Sequence, residues 1–259
     1  MLNEWLSLLG LSSAPPDLWR IVTLVVVAIA VGMGKAGLSG AVILAIPLLA
    51  ASMGARESTG LMLTLFLLGD IFAVKAYRKH ANLGEIGRLF PSTVVGLGLG
   101  AVIGSLISAQ QFKWAIAGVV LVCLAFMGFQ EWRNAERAVP RSIALALLIG
   151  ALSGFTSMIG NAAGPIFAVY LLAMGFDKNR FLGTTAVFFL IVNLLKMPLQ
   201  ILVWHNVDWA TLLAALALLP AVYLGIVLGM KLLKILKERT FRFLMIGMTA
   251  LAAVRLMLP

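Results

Sequence analysis

Charge is scarce in this chain, and acid scarcest of all. Only 12% of the 259 residues are charged, with ten Asp and Glu against twenty Lys and Arg. A soluble domain of this length needs a polar surface, and a 62% hydrophobic chain with mean hydropathy +1.05 cannot supply one. The single cysteine, Cys123, excludes an intramolecular disulfide. Two histidines and one cysteine are too few for a metal cluster, so neither a metal nor a cofactor is expected. Long polar stretches are also missing, which excludes an attached soluble module. Apolar runs approaching or exceeding 18 residues recur throughout, the pattern of a polytopic membrane protein.

The net charge of +10 suggests nucleic acid only until the cations are placed. They cluster in short loops between apolar runs, as the positive-inside rule requires, so the expected partner is the lipid bilayer and no nucleic acid. Residues 1–17 lack the basic start and continuous apolar run of a cleaved signal. They read as an interfacial segment with Trp5 at headgroup depth, ended by Pro15 and Pro16.

Ten apolar segments follow, near 18–34, 38–53, 57–76, 89–108, 112–130, 142–160, 164–176, 180–204, 209–230 and 240–257. The charged stretch EWRNAERAVPR (131–141) separates a first half, 18–130, from a second, 142–259. The halves repeat. "GAVILAIPLLAASMG" resembles "GPIFAVYLLAMG", Gly100-x-x-x-Gly104 matches Gly225-x-x-x-Gly229, and "FKWAIAG" matches "FRFLMIG", in the same order. The expected fold is therefore all-α and polytopic, with about ten hydrophobic helices in two five-segment repeats.

Loop charge orients the copies. Fourteen of the twenty Lys and Arg fall on one side, in the loops around Lys75–Arg88, Arg133–Arg141, Lys178–Arg180 and Lys231–Arg242. That side reads as cytoplasmic, placing both termini outside. The loop after the third segment is basic, whereas its counterpart after the eighth, HNVD, has no Lys or Arg. An odd number of segments per half inverts the second copy, the arrangement of many secondary transporters. The second segment spans only about 24 Å as a helix and the seventh less, against a hydrocarbon core of about 30 Å. Pairs 1–2 and 6–7 are thus expected to be broken helices or hairpins with Gly-rich tips inside the protein.

Those tips, Gly34–Gly40 and Gly160–Pro165, are the candidate site. Non-helical backbone at membrane depth survives only where protein or a water-filled cavity covers it. Paired breaks in matching positions of two halves are the sequence pointer to a transporter's binding site. Each break ends at a helix start, whose unpaired N–H groups and positive dipole end suit an anion. The expected substrate-binding residues are Gly37, Ser39 and Gly40 in the first half. In the second they are Gly160, Asn161, Gly164, Thr184, Thr185, Asn193 and Lys196. Lys196 lies inside a span, with Asn193 three residues earlier on the same helix face. Asp70 is the one acid expected well inside a span. It is the candidate for carrying a coupling proton, or else an ion-pair partner of Lys75 or Lys196. Lys75, in the place corresponding to Lys196, is expected to snorkel, and Lys35 to draw an anion to the first break or mark the cytoplasmic interface. Gly96, Gly100, Gly104, Gly225 and Gly229 are assigned to helix packing.

Two motifs lead elsewhere. "GKAG" lacks the spacing of a nucleotide-binding loop. "GLSG" (37–40) resembles the nucleophile motif of rhomboid-type intramembrane serine proteases. That chemistry needs a histidine near Ser39, and His80 in a basic loop and His205 in a short polar loop are poor candidates. The chain is not expected to be an enzyme.

The stretch "GFTSMIGNAAGPIFAVYLLAMGFDKNRFLGTTAVFFLIVNLLKMP" (154–198) resembles the sulfite exporter TauE/SafE family of membrane permeases, and "GMGKAGLSGAVILAIPLLA" is similar to that family's first-half break. The resemblance implies transport of small sulfur-containing or organic anions, such as sulfite or sulfonates, usually outward. It carries over Gly34, Gly37, Gly40 and Pro47, then Gly160, Asn161, Gly164 and Pro165, then Gly183, Thr184, Thr185, Asn193, Lys196 and Pro198. Many members have consecutive glycines at both breaks, where this chain has Lys35-Ala36 and Ala162-Ala163, which leaves the substrate open. A passive anion channel would use the same features.

Overall fold

The computed structural model describes residues 17–54, 56–108, 110–111, 114, 142–235 and 240. Residues 1–16, the linker 131–141, and nearly all of the expected fifth and tenth segments, 112–130 and 240–257, lie outside the described residues.

Among the described residues the chain is all-helical, with nine α-helices and one 3-10 turn. They are α1 Leu18–Lys35, α2 Ser39–Met53, α3 Glu57–Tyr77, α4 Leu83–Leu106, α5 Ile143–Gly160, α6 Ala163–Ala173, α7 Lys178–Leu202, α8 Trp209–Ala217 and α9 Leu219–Ile235; the 3-10 turn, Arg78–His80, follows α3. Local signals set the starts. Asp17, Asn82, Asp177 and Asp208 each cap a helix by accepting a backbone N–H from its first turn.

Five helices, α1, α3, α4, α5 and α7, are long and apolar enough to cross a membrane. The α8–α9 pair makes a sixth candidate, bent by 49° at Leu218. This departs from the single segment expected over 209–230. Pro220 explains it, because its ring clashes with the carbonyl four residues back and its nitrogen has no hydrogen to donate. Helices α2, with 15 residues, and α6, with 11, are about 22 and 17 Å long, short of a bilayer core.

Polarity is distributed inside out. The faces of α1, α4, α5 and α9 carry exposed Val22, Val26, Val95, Leu99, Val102, Leu148, Leu224 and Leu228. The interior holds Thr59, Asp70, Glu85, Thr93, Asn161, Thr184, Asn193, Lys196 and Gln200, all buried. A chain that exposes aliphatic side chains and buries amides and charges is built for a lipid solvent.

Two tight helix pairs frame this interior. Helix α4 packs along α5, and α1 along α9. A Cβ at Gly96 would stand 2.1 Å from the Ala151 carbonyl oxygen, and one at Gly154 2.1 Å from that of Thr93. In the other pair, a Cβ at Gly32 would stand 2.1 Å from the Val222 oxygen, and one at Gly225 2.1 Å from that of Ile29. These backbones approach so closely that only hydrogen fits between them. Gly100, Gly104 and Gly229 likewise abut Met158, Trp204 and Ala36, in keeping with packing roles for the five glycines assigned to it. Between the pairs, α3 lies against α7.

Candidate functional site

The two breaks are short and sharply closed. At the first, Gly37 has φ +121°, and the Leu38 N–H returns to the Met33 carbonyl. At the second, Asn161 adopts φ +57°, a left-handed helix cap that Asn tolerates better than most residues. The N–H groups of residues 37, 38, 161 and 162 therefore turn back onto the preceding helices. Those without an intrahelical acceptor are the next ones, residues 39 and 40 of α2 and 163 and 164 of α6. This narrows the expectation that the unpaired N–H groups of each break suit an anion to those four residues.

Both breaks border one cavity of about 70 Å³. By volume it holds a few waters or one small anion. Its wall includes Gly34, Lys35 and Gly37 from the first break, Asn161 and Gly164 from the second, and Asp70, Thr185 and Asn193 from the paired helices α3 and α7. The rest is largely apolar, with Phe66 and Phe189 the largest side chains. The Thr185 Oγ1 is buried without a protein partner.

Charge enters through Lys35, whose Nζ lies 2.6 Å from Asp70 Oδ1. Asn193 Nδ2 donates to the other carboxylate oxygen at 2.7 Å. The partner of Asp70 is thus Lys35, not Lys75 or Lys196, and Lys75 is exposed. The Lys35 Nζ also sits 4.5 Å from the Phe66 ring centroid and 5.6 Å from that of Phe189, at cation–π range. Lys196, fully buried, donates to Asn161 Oδ1 and so holds the tip of the second break. Asn161 Nδ2 in turn donates to the Thr59 carbonyl at 3.4 Å. Thr59 Oγ1 accepts from Asn206 Nδ2 at 2.9 Å and lies 3.4 Å from Gln200. This polar layer stands between the cavity and a second one of about 380 Å³, lined by Arg56, Glu57, His205, Asn206 and Asp208.

The other expected residues divide. Ser39 and Gly40 occupy the first turn of α2, and Gly160 closes α5. Thr184 is turned away from the cavity, and its hydroxyl accepts the Asn82 N–H at 3.0 Å. The sequence reading passed over Glu85, a buried acid on α4 that accepts a short hydrogen bond from Tyr170 of α6. Asn82-x-x-Glu85, a capping-box pattern, was the signal that could have found it. Among the described residues no group of His, Cys, Asp or Glu is placed to hold a metal ion.

Residues 23–256, most of the chain including both breaks, match the family described as Sulfite exporter TauE/SafE. The chain belongs to that family. It is a multi-pass membrane permease of the sulfite exporter TauE/SafE type, in a family of transporters rather than enzymes. No curated protein and no solved structure matches it.

Proposed function

We propose that this TauE/SafE protein is a secondary transporter, acting as an exporter, of small sulfur-containing or organic anions such as sulfite and sulfonates, working by alternating access. The observation that carries the reading is the shared cavity. Gly37 just ahead of α2, Gly164 in the first turn of α6, the unpartnered Thr185 hydroxyl and the Lys35 ammonium border a space of anion size. The anion sits against N–H groups of residues 39–40 and 163–164, with Thr185, Asn193 and Asn161 within the same wall. Lys196 positions Asn161 and supplies positive charge behind it. Asp70 carries the coupling proton.

An inverted repeat is the architecture that supports alternation. Helix α1 lies on α9 as α5 lies on α4, each through paired glycines at the same 2.1 Å spacing. Asp70 and Asn193, bonded to each other, are 123 positions apart. The same offset relates Phe66 to Phe189 and Gly60 to Gly183. A Cβ at Gly60 would strike the Asn206 carbonyl, and one at Gly183 the Tyr77 carbonyl, so each glycine abuts the loop that follows the other's helix. In this reading the polar layer Asn161–Thr59–Gln200 separates inner and outer cavities. Rocking of the two glycine-paired bundles about α3 and α7 exposes the anion to each side in turn. By the positive-inside rule, the basic loops support a reading with the site's Lys35 end toward the cytoplasm and the termini in the periplasm of the inner membrane.

The test is flux in liposomes containing the purified protein, with sulfite and short sulfonates inside. Saturable exchange supports a carrier. Currents far above carrier rates indicate a passive anion channel. Wild-type flux in both Lys196→Met and Asn161→Ala removes those residues from the mechanism.

A further inference from the structure

We propose that the transported anion takes Lys35 away from Asp70, and that this exchange of partners couples one proton to each anion. The inference rests on the transport reading above and adds a mechanism to it.

Among the described residues, Lys35 is the only cation and Asp70 the only acid on the cavity wall. They are already bonded to each other, at 2.6 Å, with Asp70 fully buried. An anion entering this space finds its cation occupied. Two anions cannot share one ammonium group in a volume of about 70 Å³, where their repulsion disfavours joint occupancy by a factor of about a hundred or more. The conflict ends when Asp70 takes a proton. Lys35 then pairs with the ligand, while the neutral carboxyl keeps Asn193 as a neighbour. Phe66 and Phe189 flank the ammonium and give it a favourable resting surface as it changes partner.

Charge balance makes the exchange a coupling device. The empty site holds one cation and one carboxylate. The loaded site holds one cation, one monoanion and one neutral acid. Both have the same net charge, so both can be carried through the closed, water-poor centre of the protein. Lys196 adds equally to every state; the half-loaded ones, anion without proton or proton without anion, leave two anions competing for one ammonium or leave Lys35 with no counter-ion, and burial penalises both. The charged and polar groups that face Asp70 are Lys35 from α1 and Asn193 and Lys196 from α7. Among the described residues, helices α2, α8 and α9, which also pack on α3, contribute no ionisable side chain to this cavity. The cycle is electroneutral cotransport of a proton with a monoanion, and its direction follows the combined gradients of the two.

Ethanesulfonate is the suitable probe, because it stays a monoanion at every working pH and cannot carry the proton itself. In proteoliposomes with an internal pH dye, the wild-type protein should move one proton per ethanesulfonate, at a rate indifferent to membrane potential. Asp70→Asn keeps a neutral acceptor for Lys35. It should still exchange ethanesulfonate across the membrane while moving no protons, and bind it at least about tenfold more tightly, with no dependence on pH. Lys35→Met should lose exchange. Proton movement that persists in Asp70→Asn, or wild-type exchange in Lys35→Met, overturns the proposal. A measurement on the wild-type protein covers the case in which a variant fails to fold: binding in weakly buffered detergent should take up one proton per anion, and none taken up overturns it. Wild-type protein that moves neither sulfite nor ethanesulfonate refutes the transport reading itself, whereas anion flux without protons refutes only the coupling.

Discussion

Asn161 performs two tasks that substitution can separate. It holds a left-handed backbone, φ +57° and ψ +23°, at the tip between α5 and α6, and its Oδ1 accepts from the buried Lys196. In Asn161→Gly the backbone is unstrained, but Lys196 loses its acceptor. A hydrogen bond to a charged group contributes about 1.5–3 kcal/mol, so the loss is of that size. Asn161→Ala adds about 1–2 kcal/mol of left-handed strain, offset by about 0.4–1 kcal/mol because alanine orders more cheaply than glycine. Alanine should therefore be worse than glycine by about 1 kcal/mol. Asn161→Asp accepts from Lys196 and tolerates the left-handed region, so although it loses the long 3.4 Å bond to the Thr59 carbonyl it should be the most stable of the three. It places a carboxylate on the wall of the anion cavity, however, and should abolish anion binding. Thermal unfolding in detergent should rank wild type, Asp, Gly and Ala in falling order. Ligand-induced stabilisation by sulfite or sulfonate should vanish in the aspartate variant although it folds. An aspartate variant that binds the anion like wild type would refute the placement of Asn161 at the ligand. Alanine unfolding at or above glycine would refute the strain argument.

The glycine seams give a paired test on one helix. Gly96→Ala should lower the unfolding midpoint sharply, by about 2–3 kcal/mol or more, since its Cβ would meet the Ala151 oxygen at 2.1 Å, whereas Gly98→Ala, with open space around it, should stabilise by up to about 1 kcal/mol. Thr185→Val removes a hydroxyl that has no protein partner, so stability should hold while anion affinity falls about tenfold or more in a thermal-shift titration. Thr184→Val instead leaves the Asn82 N–H without its acceptor and should cost about 1 kcal/mol of stability in the same instrument. Asp208 supplies a pH test outside the spans. Partial burial pushes its carboxyl up, but hydrogen bonds from the Thr211 N–H and hydroxyl outweigh this and hold it below the usual range. A lowered native value stabilises above the unfolded carboxyl range and is lost as pH falls through the native one, so exchange protection of the Thr211 amide should fade below about pH 4, by a modest amount because solvent screens the site. Asp208→Asn should keep the cap and remove that pH dependence.

The spans were legible because apolar length is a strong signal. The segments expected at 57–76, 142–160 and 180–204 are helices Glu57–Tyr77, Ile143–Gly160 and Lys178–Leu202. The bend in 209–230 was also written in the sequence, at Pro220, but a hydropathy window averages over a single residue. Glu85 escaped for a related reason: it follows the basic stretch Arg78–His80, so it reads as loop until the Asn82 cap shows that the helix has begun. A cavity bordered by both breaks was readable from them. Its internal bonding was not, because Lys35 and Asp70 meet only through the fold, with α2 and the start of α3 between them in the chain.

On the proposed inverted repeat, what the halves share and where they differ explains that limit. Gly37 and Asn161, at matching places in the two halves, both take positive φ, so the turn is shared. Asp70 and Asn193 are likewise matched and touch. The charges are not matched. Ile159, buried and apolar, stands where the first half has Lys35, and by the same offset as Asp70 and Asn193, Ala73 stands where the second has Lys196. Lys75, expected in that place, lies two residues further on and is exposed. A symmetric pair of lysines beside a symmetric pair of carboxylates would neutralise itself and leave an entering anion no unique partner. With an amide opposite the acid and one lysine on each half at unmatched depths, the cavity wall among the described residues has one ion pair, Lys35–Asp70, which on the proposed mechanism the ligand opens. On the proposed reading, the duplication builds the cradle, and the departures from symmetry give it its sign.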